Sequence, residues 1–535
     1  MEHDNLYTII KSLTKTEKAY FKKFASRHIL GKQNKYVVLF DAIASGSNGY
    51  DEMEIKKKFQ NEKFVKNFPV IKRYLFSMIL KSLNSFYSAS SPDNEIKNQV
   101  RHIEILYKKG LFESCSKILN GSLKLAYRTD NFMAILELLR WKKNLINEGV
   151  YKGNEFAILE KAHREEKEVI SKISNLSNYR LISYHARSLA KGTNPNLTGE
   201  NIRKELLNIL NNPLFMSDKK ALSFPATITY YHVLALVYES LSKNFEALEC
   251  RKQLIRIMES HPETLKINIT NYIVSVYNIL GTCLNLKYFN ELGYYIKKLR
   301  TIEKTSPGKV SKNDRLLIFM GSSIFELRMH ISRGEFSESC KNLIEIEDGL
   351  EQFNKTIVKA DKLQCFYLLG YGYFGVGKIN EALKWINEIL NDNDANQDSK
   401  LYIKSRIINL IIHYELGNFE LLDYLIKSTY RFLKKNKFSG HDEKIVIEFL
   451  KRLPDISSQN QLLNLFTESL EQLKIPQQNN LINSLEFKPV SKFEIQNSFT
   501  NSAEFDLVSW LESKISGSRF EDMVKAKYEL FLALY

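Results

Sequence analysis

Proline and glycine are scarce in this chain, at 10 and 22 of 535 residues. Both are costly inside helices, proline because it lacks an N–H and glycine because of its backbone entropy. Their scarcity argues against a loop-rich chain and predicts an almost entirely helical one. Cysteine is also rare. Cys115, Cys250, Cys283, Cys340 and Cys365 are odd in number, widely scattered and never spaced as CxxC. That pattern supports neither a disulfide framework nor a zinc cluster, and the expectation is a reduced, cytoplasmic setting. No uncharged apolar run approaches the length of a membrane span, and the best stretch, 366–377, falls well short. The opening MEHDNLYTII has neither the basic start nor the apolar stretch of a signal peptide.

Catalytic signatures are missing as well. There is no HExxH, no GxSxG and no paired-carboxylate pattern, and the ten histidines show no metal-ligand spacing. His232 and His413 read as half-buried side chains of helices. Gly370, Gly372 and Gly375 match a dinucleotide fingerprint by letters, and Gly372, Gly377 and Lys378 nearly complete a phosphate loop. Both motifs need a preceding strand, and here the glycines fall inside a helical pattern, with Ile379 where a magnesium-holding Ser or Thr belongs. The expectation is a protein that is not an enzyme and has no cofactor and no metal.

What is present has ordinary globular proportions: 44% hydrophobic and 26% charged residues. By length alone the chain would hold three or four domains of about 150 residues. Basic residues number 77 against 61 acidic, a net +16. Residues 1–100 carry 17 basic and 10 acidic side chains, whereas 441–535 carry 10 and 14, so the charge changes sign along the chain.

A short phrase recurs: glycine, any residue, a large apolar residue, two more, then a usually small residue. It occurs as Gly110-Leu-Phe112-x2-Cys115, Gly334-Glu-Phe336-x2-Ser339, Gly377-Lys-Ile379-x2-Ala382 and Gly417-Asn-Phe419-x2-Leu422. Turns without the glycine lie at Asn244-Phe245-Glu-Ala247 and Tyr288-Phe289-Asn-Glu291. The anchors Phe245, Phe289, Phe336, Ile379 and Phe419 are 44, 47, 43 and 40 residues apart, and Phe112 lies 133 earlier, close to three such periods. A weaker turn at Gly153-Asn-Glu-Phe156 marks the first expected intervening unit. Each phrase sits between two apolar-periodic segments, which predicts helix, tight turn, helix, with the small residue allowing close approach.

These units resemble tetratricopeptide repeats. The best copy carries Leu369-Gly370-x2-Tyr373, Gly377 and Ala382, and a second gives Leu234-Ala235-x2-Tyr238-x8-Ala247 with Pro262 closing the unit. The period is longer than the 34 residues of that family. The resemblance implies an all-α, α-α superhelix: a TPR-like solenoid of seven or eight hairpins, with an N-terminal helical module and a C-terminal helical cap. It divides the chain into residues 1–92, 93–440 and 441–535.

Before residue 92, Thr14-x-x-Glu17 reads as a capping box, and further helices are expected at 34–45, 50–59 and 67–88. This block resembles the N-terminal helical modules of some bacterial repeat proteins. Residues 475–503, rich in Gln, Asn and Ser, read as a long loop. Two helices follow at about 503–515 and 519–534, and their apolar end is expected to dock on the last repeat.

Two functional readings follow. In the first, the repeats form a concave surface that holds a protein or peptide partner, with Tyr231, Tyr294 and Tyr371 as contacts. In the second, a basic N-terminal module touches nucleic acid while the repeats sense a partner. Lys11, Lys15, Lys18 and Lys22 recur at helical spacing, and Lys56, Lys57, Lys58, Lys63, Lys66, Lys72 and Arg73 add charge nearby. Of these, Lys15, Lys18, Lys22, Lys56, Lys57, Lys58, Lys72 and Arg73 are the candidate phosphate contacts.

Overall fold

A computed structural model describes residues 5–26, 35–45, 52–60, 65, 67–88, 91–151, 153–191, 198–305, 310–392, 400–436, 441–453, 456–474 and 504–534. The expected loop at 475–503 lies outside them, as do Lys63 and Lys66. Among the described residues all regular structure is helical, and many helices that follow one another in the chain pack as adjacent pairs. The chain forms two compact units, residues 1–173 and 174–535, each with its own internal packing.

The first unit opens with α1 (Asn5–Ser12), α2 (Lys15–Ser26), α3 (Lys35–Ser45), α4 (Glu52–Lys58) and α5 (Phe68–Phe86). Leu6, Ile10, Phe21, Leu39, Phe40, Phe68, Leu75 and Ile79 close a core among themselves. The capping box forms. The Thr14 N–H donates to Glu17 at 2.6 Å and the Glu17 N–H donates to the Thr14 hydroxyl at 3.2 Å, which separates α1 from α2. Then come α6 (Pro92–Lys108), α7 (Phe112–Arg128) and α8 (Phe132–Asn147), which run back and forth through turns set by left-handed Gly110 (φ 70°) and Asp130 (φ 49°).

Helix α9 (Glu155–Lys191) is continuous over 37 residues and contains the division between the units. The turn expected at Gly153 is present between α8 and α9, with Gly149 (φ 68°) and Gly153 (φ 117°) both left-handed and Lys142 and Lys143 of α8 paired with Glu165 and Glu166 of α9. The second helix is far longer than the hairpin predicts, and Phe156, the expected anchor, is 74% exposed.

The second unit continues with α10 (Gly199–Leu210), α11 (Phe224–Ser240), α12 (Asn244–Glu259), α13 (Pro262–Ile267), α14 (Ile269–Asn285), α15 (Phe289–Thr305), α16 (Lys312–Phe319) and α17 (Phe325–Arg333). It goes on through α18 (Cys340–Gln352), α19 (Lys359–Val376), α20 (Ile379–Leu390), α21 (Lys400–Glu415) and α22 (Phe419–Lys435). It ends with α23 (His441–Arg452), α24 (Gln459–Lys474), α25 (Leu507–Ser516) and α26 (Phe520–Leu534).

One backbone device makes the hairpins. The turns α6/α7, α11/α12, α14/α15, α17/α18, α19/α20 and α21/α22 each hold one residue at positive φ: Gly110, Ser242, Lys287, Gly334, Gly377 and Gly417. Five residues after it stand Cys115, Ala247, Leu292, Ser339, Ala382 and Leu422, all buried where the second helix meets the first. Two residues after it stand Phe112, Asn244, Phe289, Phe336, Ile379 and Phe419. This register corrects two sequence assignments. The anchor equivalent at the second turn is Asn244, so Phe245 lies one position out and is 61% exposed. The buried position at the third turn is Leu292, not Glu291.

Candidate functional site

The three tyrosines proposed as partner contacts occupy different surroundings. Tyr231, on α11, is half-buried and its hydroxyl donates to Asp218 at 2.9 Å. Tyr294, on α15, is 56% exposed, with the Lys298 ammonium 5.0 Å from its ring centroid. Tyr371 is 2% exposed and so offers no open surface. Its hydroxyl accepts from the Asp506 N–H at 3.1 Å, and its ring meets Phe505 and Phe336 at centroid distances of 5.1 and 5.8 Å. The structure does not gather the three residues into one site.

Tyr371 is covered by the C-terminal arm, residues 504–534, which reaches well beyond the last hairpin. Trp510, 1% exposed, packs at 5.9, 5.8 and 6.3 Å from the rings of Tyr414, Phe449 and Phe466. Its indole N–H donates to Glu415 at 2.7 Å, and Lys514 donates to the other oxygen of that carboxylate at 2.6 Å. Phe520 meets Phe336, Phe374 and Phe505 at 5.6, 5.5 and 5.4 Å. Farther along, Tyr528 meets Phe289 at 5.4 Å, and Lys287 lies 4.1 Å from the Phe531 ring centroid. The arm thus spans the turns of several hairpins, because its aromatic residues are spaced to reach successive turn anchors. Sequence reading placed it on the last repeat alone.

Beside the arm, Tyr414, Phe419, Leu422, Ile426, Leu450, Leu453, Ile456 and Leu462 line an apolar trough of about 860 Å³. Glu420, Asp423, Lys427 and Lys451 complete its wall. Phe419 and Tyr424 nearby are 59% and 68% exposed. Sequence reading missed the trough, because α22 and α23–α24 each look amphipathic in isolation and only their packing leaves the space between them.

The basic candidates are partly committed inside the first unit. Lys22 pairs with Asp41 at 2.7 Å, and Lys56 and Lys72 share Glu52 at 2.7 and 2.8 Å. Those two ammonium groups pull the Glu52 carboxyl down to a pKa of about 2. Lys15, Lys57, Lys58 and Arg73 are exposed and Lys18 is half-buried. Lys11, outside the α2 stripe, donates to the Ala44 carbonyl at 3.1 Å.

The residues considered for chemistry are held by packing. Gly370, Gly372 and Gly375 sit within α19, where a Cβ would collide with Ile386, Leu343 and Phe336 respectively. Their role in the structure is close approach between helices. Burial raises the thiol pKa of Cys250 to about 11 and of Cys283 to about 12, which suppresses the reactive thiolate. His232 lies 3.4 Å from the Ser275 hydroxyl, and His413 is buried beside Asn418, with burial lowering its pKa. Among the described residues His330, Glu335 and Glu338 bring potential ligand atoms within 4.8 Å of one another. His330 and Arg333 already pair with Glu335 at 3.1 and 2.7 Å. Among the described residues no helix is long and apolar enough to cross a membrane. Comparison with protein-family models, curated proteins and solved structures gives no match to this chain.

Proposed function

We propose that the chain is a non-enzymatic scaffold or adaptor: a TPR-like solenoid of helical hairpins that binds a helical or extended segment of another protein. The observation that carries this reading is the trough beside Tyr414. It has apolar walls with Glu420, Asp423, Lys427 and Lys451 around them, and such walls suit an amphipathic helix laid into a groove. Phe419 in that wall is 59% exposed, and aromatic residues are enriched at the energetic centres of interfaces. Repeated hairpins supply the rigid support such a site needs. A cytoplasmic setting accords with five unpaired cysteines, three of them buried.

The test is affinity purification of the intact protein from its native cell, compared with the Ile426→Glu variant. A stoichiometric partner retained by the original chain and lost from a variant of unchanged helical content supports the reading. Recovery of no partner, or equal recovery by both, counts against it. The second reading, nucleic-acid contact through the N-terminal block, rests on exposed Lys15, Lys57, Lys58 and Arg73 with half-buried Lys18. Binding of duplex DNA or RNA that weakens steeply with salt supports it, and no binding at low salt removes it.

A further inference from the structure

The arm's contacts extend far back along the chain, and Ser337 and Glu521 are 184 positions apart. Its footprint is chemically specific. The Ser337 N–H and hydroxyl both donate to Glu521 at 2.6 Å, so one carboxylate satisfies the start of the turn into α18. Glu415 accepts from Trp510 and Lys514, and Tyr371 accepts from the Asp506 N–H. Gly334 is a notch in the footprint: a Cβ there would strike the backbone of Val524 and Lys525.

A hairpin does not need this cover. The α6/α7 turn of the first unit and the α11/α12 turn form on left-handed Gly110 and Ser242, as the covered turns form on left-handed Lys287, Gly334 and Gly417, and Phe245 beside the α11/α12 turn is 61% exposed. The arm is therefore an addition to hairpins whose turns form without it. The 29 residues of 475–503 join it to α24, a length able to span up to about 100 Å when extended.

We propose that the arm is an intramolecular ligand. The turn surface from Phe289 to Tyr414 is a helix-docking site, and a partner protein's pair of amphipathic helices with the arm's chemistry takes the place of α25 and α26. That chemistry is a set of aromatic anchors in the places of Phe505, Trp510, Phe520 and Tyr528, a cation for Glu415 and a carboxylate for Ser337. The proposal rests on the scaffold reading and names both the kind of partner and its built-in competitor. A tethered arm competes at an effective concentration of about a millimolar, so binding in trans is weak until the arm is freed or weakened.

The test uses the full chain with a specific protease site inserted within 475–503, and a fluorescein-labelled synthetic peptide of residues 504–535. After cutting, the labelled peptide exchanges into the protein and its anisotropy rises. The apparent affinity is at least tenfold higher than for uncut protein, and Trp510→Ala in the peptide or Glu415→Ala in the body lowers it tenfold or more. Loss of the helical circular-dichroism signal when the released arm is separated shows that the arm is core, and overturns the proposal. Equal affinity before and after cutting, or no exchange while the signal is kept, also overturns it. Light scattering that shows intact chains paired through exchanged arms assigns the footprint to a second copy, which is a third overturning result. No partner protein enters this experiment, so its failure leaves the scaffold reading standing, and failure of the purification leaves arm exchange measurable.

Discussion

At the turn before Phe336 the aromatic ring is completely buried, whereas at the turn before Phe419 the equivalent ring is 59% exposed. Both rings stand two residues after a glycine held at φ near +70°, and both open the second stretch of a hairpin. The left-handed glycine is therefore the same, although a 3-10 turn at Ser337–Ser339 follows Phe336 and an α-helix starts at Phe419, and the surroundings differ. Phe336 lies beneath Phe520 of the arm and against Gly375 of α19, while Phe419 faces the trough. The local phrase specifies the turn, and sequence far away decides whether the anchor becomes core or exposed surface.

The sharpest way to break this comparison is to truncate both rings. Phe336→Ala is expected to lower the unfolding free energy by about 3–5 kcal/mol, the usual cost of deleting a buried phenyl ring, whereas Phe419→Ala costs less than about 1 kcal/mol. Urea denaturation of the two variants measures this. Equal losses would mean that the exposed ring is structural after all.

A second comparison separates backbone from cover. Gly334→Ala and Gly377→Ala both force alanine into the left-handed region, at φ +69° and +86°, for about 1–2 kcal/mol each. At Gly377 a Cβ meets nothing within 4 Å, whereas at Gly334 it meets the arm. Gly334→Ala should therefore show the larger loss of stability and also faster proteolysis within 475–503. Identical stability and cleavage patterns would remove Gly334 from the footprint.

A smaller effect comes from the polar contact. Glu521→Ala leaves the Ser337 donors without their carboxylate, at about 1–3 kcal/mol, and Glu521→Gln recovers part of the loss. Thermal unfolding of the pair tests it, and no difference from the original protein would place the arm's hold in its rings alone.

Much of this architecture was legible in the sequence for a definite reason. Glycine at a left-handed turn and a small residue five positions on are local requirements, so Gly110, Gly334, Gly377 and Gly417 marked four turns directly. The capping box at Thr14 and the limits of α3, α4 and α5 were likewise set by neighbouring residues. Where the left-handed residue is not glycine, as at Ser242 and Lys287, the signal was weak and the register slipped at Phe245. The 37-residue α9 escaped because a single exposed Phe156 resembles an anchor by letter and not by packing. The footprint of the C-terminal arm was least visible. Tyr371 looked available from the sequence, and only the aromatic arm 134 or more positions later shows that it is covered. Likewise, Lys22, Lys56 and Lys72 looked like free charges until Asp41 and Glu52 were placed beside them.

The smallest expected effect lies where the arm begins. Lys404 donates to Glu504 at 2.9 Å, but Glu504 is 79% exposed, so water and salt screen the pair. Half-buried Glu443 lies in the same field, and burial, with Asp442 and Glu504 adding to it, raises its carboxyl pKa. A carboxyl whose folded pKa is raised is held uncomfortably as an anion, so it costs stability at neutral pH. That cost disappears as pH falls through the folded value. Glu443→Gln should therefore stabilise the protein slightly at neutral pH, by up to about 0.5 kcal/mol, with the gain shrinking on acidification. Melting curves of the two proteins across that range would show it. A gain that grew instead as the pH fell would mean that the Glu443 carboxylate is stabilised in the fold, against the direction that its burial and the neighbouring Asp442 and Glu504 impose.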